Sequence, residues 1–463
     1  MPNFKNIFRY WRHYGTYSLI GHVWELLVVN PYRFRSNYQR TTPSFSERTV
    51  LAQSTETLPV IEKKLNICYL IHYFYPSKRG GTERFVLNVA KQQQYFGHNV
   101  LVITLGNLSL SRYDKYLNGI YYREYVYEDV LVIEIRHKKA PIGLYYKELH
   151  ESDKFLADFA AELLEKEKID VLHVAYPQPF YSFILSAREK NIPVILTGTD
   201  FNLFCHYATM VDRKGDFCGG SLHGKRCSSV CKTYGCQDLE KRFQKAVAYV
   251  HTVQKITVPS EFVARIFAQE FPDIRVQVIP HGIDRSFKQS QKRHQTQKFI
   301  YAGTLSELKG VHLLITAFEK IAGDVQLDIY GATNSSYAKQ LMRTKDSRIC
   351  FHGAVEASNM VNIYQQADCV VIPSIWYETY NFVVREALAC GCLVIASDIG
   401  AMPEAISEPY NGFLFQTGNQ EELVKALNKA IQFDWKQYKQ FSFPSVHEEG
   451  KLYNQLYQSL VNG

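Results

Sequence analysis

The stretch Tyr377–Gly391, YETYNFVVREALACG, sets two carboxylates, Glu378 and Glu386, eight residues apart across an apparent strand-to-helix turn. The preceding ADCVVIPS (367–374) reads as a buried strand, because its short run is rich in valine and isoleucine and ends at proline. The following FVVREALA (382–389) has helical spacing and stops at Gly391. A parallel α/β sheet places ligands at such strand ends, where helix N-termini offer free N–H groups to phosphate. Glu386 lies about a turn inside the helix, too deep to meet that phosphate but able to reach a neighbouring hydroxyl.

Working outward, strands and helices alternate. LNICYLIHYFY, NVLVITL, DVLHVA, PVILTGTD, ITVPS and VQVIP read as strands, with helical stretches such as TERFVLNVAKQQQYFG between most of them. The pattern restarts at KFIYAGTL and continues through VQLDIYG, RICFHGAV, DCVVIPS and LVIAS. This predicts an α/β fold of two Rossmann-like, doubly wound parallel-sheet domains facing across a cleft. The expected boundaries are an extension and polar linker over 1–60, a first domain over 61–290, a second over 291–445, and a helix over 446–463 that returns to the first domain.

Composition fits a globular chain: 463 residues, 46% hydrophobic and 21% charged. No apolar run approaches the roughly 18 residues of a membrane span. The start, MPNFKNIFRYWRHYG, is too broken by charge to read as a signal peptide, so a cytoplasmic location is expected. Residues 1–40 hold six Lys/Arg (Lys5, Arg9, Arg12, Arg33, Arg35, Arg40) against Glu25, and therefore +5 of the net +8. With Phe4, Phe8 and Trp11 at helical spacing, this segment suits an anionic membrane interface, or a helix packing on its own protein. The charge lies in this extension and no recognition motif accompanies it, which disfavours nucleic acid as a partner.

Each half opens on a glycine-bearing turn. GGTERF (80–85) follows the first strand of the first half, and GTLSELKG (303–310) follows that of the second, with Lys309 at a helix entrance. Neither is a full G-x-G-x-x-G or a Walker loop, so hydride and phosphoryl transfer are poorly supported.

Together these motifs resemble the retaining glycosyltransferases of family four, which have the GT-B fold. GGTERFVLNVAKQQQYFGHNV, DVLHVA, VPSEF, IPHGID, YAGTLSELKGVHLLITAF, VIPSIWYETYNFVVREALACGCLVIASDIGAMPEAI and NGFLF carry the resemblance from about residue 65 to the C-terminus. It implies a nucleotide-diphosphate sugar donor, no catalytic metal, and a glycan, lipid-linked or protein acceptor. Lys309 would contact the diphosphate and Glu386 the ribose hydroxyls. Glu378 would lie near the transferred sugar, with backbone N–H groups at Asn381, Phe382 and Val383 beside it. Gly80 and Gly81 would close over the phosphates, Gly303 would sit in the donor turn, and His173 and Asp200 would be the ionisable groups of the first half. His173 is equally readable as a structural strand-end histidine. Thr304 stands where many members have arginine, so a diphosphate cation would come from elsewhere, Arg79 or Arg265 being candidates. A nucleotide-sugar epimerase or a catalytically weak partner subunit of the same architecture are the alternatives.

Five of the 10 cysteines fall in a glycine-rich loop at 205–236. In a reducing compartment such thiols are free or bind metal. A similar insert in part of the family favours Cys205, Cys218, Cys227 and Cys231 as ligands of a structural zinc, with Cys236 the possible substitute.

Overall fold

The structure, a computed structural model, describes residues 63–106, 108–137, 153–212, 215–231, 238–288 and 297–462. The basic segment 1–40 and Cys236 lie outside them. The first half is built on β1 (Asn66–Ile71), β2 (Asn99–Leu105), β3 (Lys115–Leu117), β4 (Ile120–Tyr127), β5 (Val130–His137), β6 (Val171–Val174), β7 (Val194–Thr197), β8 (Lys255–Val258) and β9 (Val276–Val278). They form one sheet in the order β3-β4-β5-β2-β1-β6-β7-β8-β9. The second half has β10 (Gln297–Ala302), β11 (Val325–Tyr330), β12 (Ile349–Gly353), β13 (Cys369–Ile372), β14 (Leu393–Ser397) and β15 (Gly412–Phe415), in the order β12-β11-β10-β13-β14-β15. All pairings in the second sheet are parallel.

Two parallel-sheet domains of the GT-B type are therefore present, as the alternation predicts. The first sheet differs at one edge, where β3-β4-β5 run antiparallel. The first turn of that meander, Asn118-Gly119, had a readable signal. Asn118-Gly119 joins β3 to β4 with φ of 48° and 87°, and Glu128-Asp129 joins β4 to β5 with φ of 45° and 68°. Positive φ at both central residues matches the twist of a two-residue hairpin.

Alternation along the central strands sends side chains to opposite faces. Cys68 and Leu70 of β1 enter one core, while Ile67, Tyr69 and Ile71 enter another. The second core is closed by the C-terminal helix Val446–Asn462, whose Tyr453 and Tyr457 are fully buried in it. This helix crosses the helix Gly81–Tyr95 at Gly450, where an added Cβ would lie 2.6 Å from the Gln92 side chain. The C-terminus thus returns to the first domain, as expected.

Candidate active site

Glu378 is placed by two turns that need glycine. Gly310 has φ +67°, and a Cβ there would sit 1.9 Å from the Pro373 carbonyl oxygen. That close approach lays the turn carrying Lys309 against the segment after β13, where Ile375 N–H donates to Leu308 O at 2.8 Å. Gly400, at φ +65°, would bring a Cβ within 2.4 Å of the Glu378 carbonyl. Glu378 Oε1 then receives three donors: Lys309 Nζ at 2.7 Å, Ser374 Oγ at 2.7 Å and Trp376 Nε1 at 2.9 Å. The Trp376 ring lies 4.9 Å from the same ammonium. A cation and a carboxylate, oriented by one indole, therefore meet at the ends of β10 and β13.

The helix Phe382–Ala389 starts beside them. Asn381 adopts φ +63°, and its side chain accepts from Val384 N–H at 3.1 Å, capping the helix. The N–H groups of Phe382 and Val383 have no partner within the helix, as at any helix start. Glu386 lies inside the helix and is buried. Burial pushes its carboxyl pKa up, against the pull of Arg84 and of a hydrogen bond from Tyr364. Arg84 and Glu386 form an ion pair, close in distance although Oε1 lacks a well-aligned N–H donor.

Arg84 belongs to the opposite wall, in the first turn of the helix Gly81–Tyr95 that the GGTERF motif opens. Gly81 of that turn is near enough to Phe382 that a Cβ would touch its ring at 3.8 Å. The walls are joined further on: Thr379 Oγ1 donates to Thr199 O at 2.9 Å, and Ser260 Oγ to Thr379 O at 2.7 Å. Glu404 accepts from Glu261 N–H at 3.3 Å and Phe262 N–H at 2.6 Å, at the start of the helix Glu261–Glu270. An acid at a helix N-terminus is favoured by the helix dipole. Arg79 reaches Glu356 at 2.5 Å, both exposed.

Asp200 follows Thr199, whose carbonyl accepts from Thr379 of the other wall. Its carboxyl is pushed up to about 6, chiefly by burial and further by Glu83, while the Asn202 N–H, Lys78 and Arg242 hold it down. Glu83 is itself buried, and burial raises its pKa. Gly303, at φ +154°, and Thr304 are exposed at the turn after β10.

His173 does not join this group. It is fully buried, with Nδ1 2.6 Å from the Tyr457 hydroxyl and Nε2 2.6 Å from Thr197 Oγ1. Burial drives its pKa down to about 3, so it stays neutral between the sheet and the C-terminal helix. That is the structural reading of the DVLHVA histidine.

The structure gives the zinc expectation no support. Among the described residues no group of three or more His, Cys, Asp or Glu is arranged to hold a metal ion. The thiols share a neighbourhood, since Cys205, Cys231 and Cys218 each add to the pKa of Cys227, which burial first pushes up to about 12. They are divided between two packing environments, however. Cys218 and Cys205 pack on the main core, while Cys227 and Cys231 cluster with Leu239 and Tyr207. Burial also raises the pKa of Cys205.

Sequence reasoning missed Arg84, Trp376 and Ser374. Arg84 lay inside the quoted GGTERF motif, but nothing local announces which partner it reaches across a cleft. Trp376 and Ser374 flank Glu378 within four residues, and their polar hydrogens were the available signal.

With this geometry in view, comparison with known proteins gives one answer. Residues 79–287 match the family described as Glycosyltransferase Family 4, and residues 282–442 match Glycosyl transferases group 1. An uncharacterised glycosyltransferase of Methanocaldococcus jannaschii is 30% identical over 62% of this chain and 81% of its own length. A lipopolysaccharide 1,2-N-acetylglucosaminetransferase of Salmonella typhimurium is 25% identical over 38% of this chain, and the match spans 53% of that enzyme's length. Among solved structures, a glycosyltransferase of Rickettsia africae superposes with TM-score 0.61 at 19% identity, covering 86% of this chain and 99% of that one. The Anabaena protein HepE in complex with UDP and glucose superposes with TM-score 0.57 at 16% identity, covering 86% and 97%.

The chain belongs to glycosyltransferase family 4 and has the GT-B fold.

Proposed function

We propose that this glycosyltransferase moves a sugar from a nucleotide-diphosphate sugar to an acceptor hydroxyl with retention of anomeric configuration, in the synthesis of cell-surface glycans or glycoconjugates. The observation that carries this reading is the contact of Lys309 with Glu378 beside the start of the helix that bears Glu386. Glu386 receives the ribose hydroxyls, Lys309 and the N–H groups of Phe382 and Val383 receive the diphosphate, and Glu378 addresses the sugar. As the bond to sugar breaks, negative charge grows on the diphosphate. A fixed ammonium and aligned N–H dipoles stabilise it without reorganising.

The second domain (291–445) holds the donor and the first (61–290) the acceptor. Gly80 and Gly81 close over the donor, and Gly303 keeps its turn free of a side chain. Asp200, raised toward neutrality and adjacent to the Thr199 carbonyl that Thr379 meets across the cleft, is the group able to take a proton from the acceptor hydroxyl. HepE is described in complex with UDP and glucose, which makes UDP-sugars the first donors to try. Residues 1–40 hold the enzyme on the anionic inner face of a membrane, facing the cytoplasm. Among the described residues no helix is long and apolar enough to cross a membrane.

A thermal-shift screen against nucleotide sugars and nucleoside diphosphates tests the donor class. A ligand at about a hundred times its dissociation constant stabilises by about 2.7 kcal/mol. No shift with any of them, and no transfer, would refute the reading. The product's anomeric configuration, read by NMR, decides retention.

A further inference from the structure

Arg84 comes from the first domain and Glu386 from the second, and their ion pair spans the cleft. The residue Glu386 is 3% exposed, and its Oε1 is sealed from solvent with Arg84 against it. Tyr364 occupies the same carboxylate from its own domain. A ribose hydroxyl therefore has no path to Oε1 while the guanidinium stays in place.

The guanidinium has a second anchor. Its carbon lies 4.6 Å from the centre of the Phe382 ring, and Phe382 is the first residue of the helix Phe382–Ala389. Gly81 removes the side chain that would separate this turn from Phe382. Arg84 is thus held near the N–H groups proposed for the diphosphate, and its planar fork matches phosphate oxygens bidentately. On the second domain's side, Thr304 supplies no cation.

We propose that the donor ribose and Arg84 are alternative partners of Glu386: the nucleotide displaces the guanidinium from the carboxylate, and Arg84 then pairs with the diphosphate from across the cleft. This rests on the assignment of Glu386 to the ribose. The exchange conserves charge pairing. Arg84 gives up a carboxylate for a phosphate, and Glu386 gives up a guanidinium for hydroxyl donors. A nucleoside without phosphate breaks the ion pair and returns nothing to Arg84. The enzyme should therefore prefer a nucleoside diphosphate to its nucleoside by more than Lys309 alone accounts for, and domain closure should be coupled to the presence of phosphate.

The test is titration of wild type, Arg84→Ala and Arg84→Lys with two matched pairs, uridine with UDP and adenosine with ADP. Arg84→Ala removes the competitor and the cation together. It should bind the nucleoside more tightly and the diphosphate less tightly, so that the preference for diphosphate falls about tenfold or more, the scale of one charge-assisted hydrogen bond. Arg84→Lys keeps the charge without the fork and should lie between, and it decides the matter if Arg84→Ala does not fold. A merely structural arginine would move both affinities by the same factor, and an unchanged preference in the folded variants overturns the proposal. Glu386→Ala in the Arg84→Ala background, where no competitor remains, separates the two levels. If it does not weaken nucleoside there, the ribose assignment itself is wrong. If it weakens nucleoside while Arg84 variants keep the preference, only the exchange is wrong.

Discussion

Lys309 Nζ lies 2.7 Å from Glu378 Oε1, a contact between residues 69 positions apart on turns that follow two neighbouring strands, β10 and β13. Without a donor, the cation and carboxylate satisfy each other. A bound diphosphate draws Lys309 away, and Ser374 and Trp376 remain to hold Glu378 oriented. The two side chains should therefore fail differently when removed. Lys309→Ala should lower turnover by about 100-fold or more, the usual scale for losing one electrostatic stabiliser of a developing charge. Glu378→Ala should slow transfer while leaving the bare nucleoside diphosphate bound almost as in wild type. Titration alongside turnover separates them, and normal turnover in Lys309→Ala would remove its role.

Gly400→Ala tests whether backbone placement of Glu378 matters. The substitution adds a Cβ 2.4 Å from the Glu378 carbonyl at a φ of +65°, so backbone must shift at the site itself. Activity should fall by more than the loss in melting temperature explains. Gly418→Ala, at φ +76° with nothing within 4 Å, is the control for backbone strain alone and should keep its activity.

Asp200 should make stability depend on pH in a defined direction. Its pKa rises from 3.8 to about 6 in the folded state, so between those values the folded protein holds more protons than the unfolded chain. The sign is then fixed: stability is greatest below about 3.8 and is lost as pH rises through about 6. Two pKa units correspond to about 3 kcal/mol, an upper bound for a side chain that keeps some exposure. Asp200→Asn should raise the melting temperature at pH 7.5 but hardly at pH 4, while transfer falls. Buried His173 acts oppositely, because its depressed pKa costs stability as pH drops below about 6.5. That contribution is common to both proteins and cancels in their difference. Equal gains at both pH values would contradict the Asp200 account.

The C-terminal helix should be a structural part of the first domain. Tyr457 OH lies 3.0 Å from Tyr69 OH and 2.6 Å from His173 Nδ1, all fully buried. Tyr457→Phe strands both partners, and an unmet buried polar group costs about 1–3 kcal/mol. A urea melt should show that loss with an unchanged slope. A change below about 0.5 kcal/mol would mean that the network relaxes around the missing hydroxyl.

Much of this architecture was legible because buried parallel strands write themselves as short valine and isoleucine runs, as CVVI and LVIAS do. The meander β3-β4-β5 escaped because IYYREYVY is half-exposed and carries charge, so it lacks that run, although Asn118-Gly119 marked its first turn. At the site, the spacing of Glu378 and Glu386 across a strand-to-helix turn drew attention to them, while the roles given to them and to Lys309 came from the family resemblance. Arg84 drew none, since its role comes from a neighbour some three hundred residues away on another domain. The cysteines left their role unread for a related reason. Clustering in sequence fixes neither the distance nor the direction of four thiols in space.

The central claim is that Glu386 receives the ribose of a nucleotide-diphosphate donor, and isothermal titration of a nucleoside diphosphate into wild type and Glu386→Ala tests it most directly. Loss of a hydrogen bond from a charged group is worth about 1.5–3 kcal/mol, so affinity should fall roughly tenfold or more. The nucleoside diphosphate and the full donor should weaken by similar factors, since both carry the ribose. Unchanged affinity in a folded Glu386→Ala protein would contradict the account.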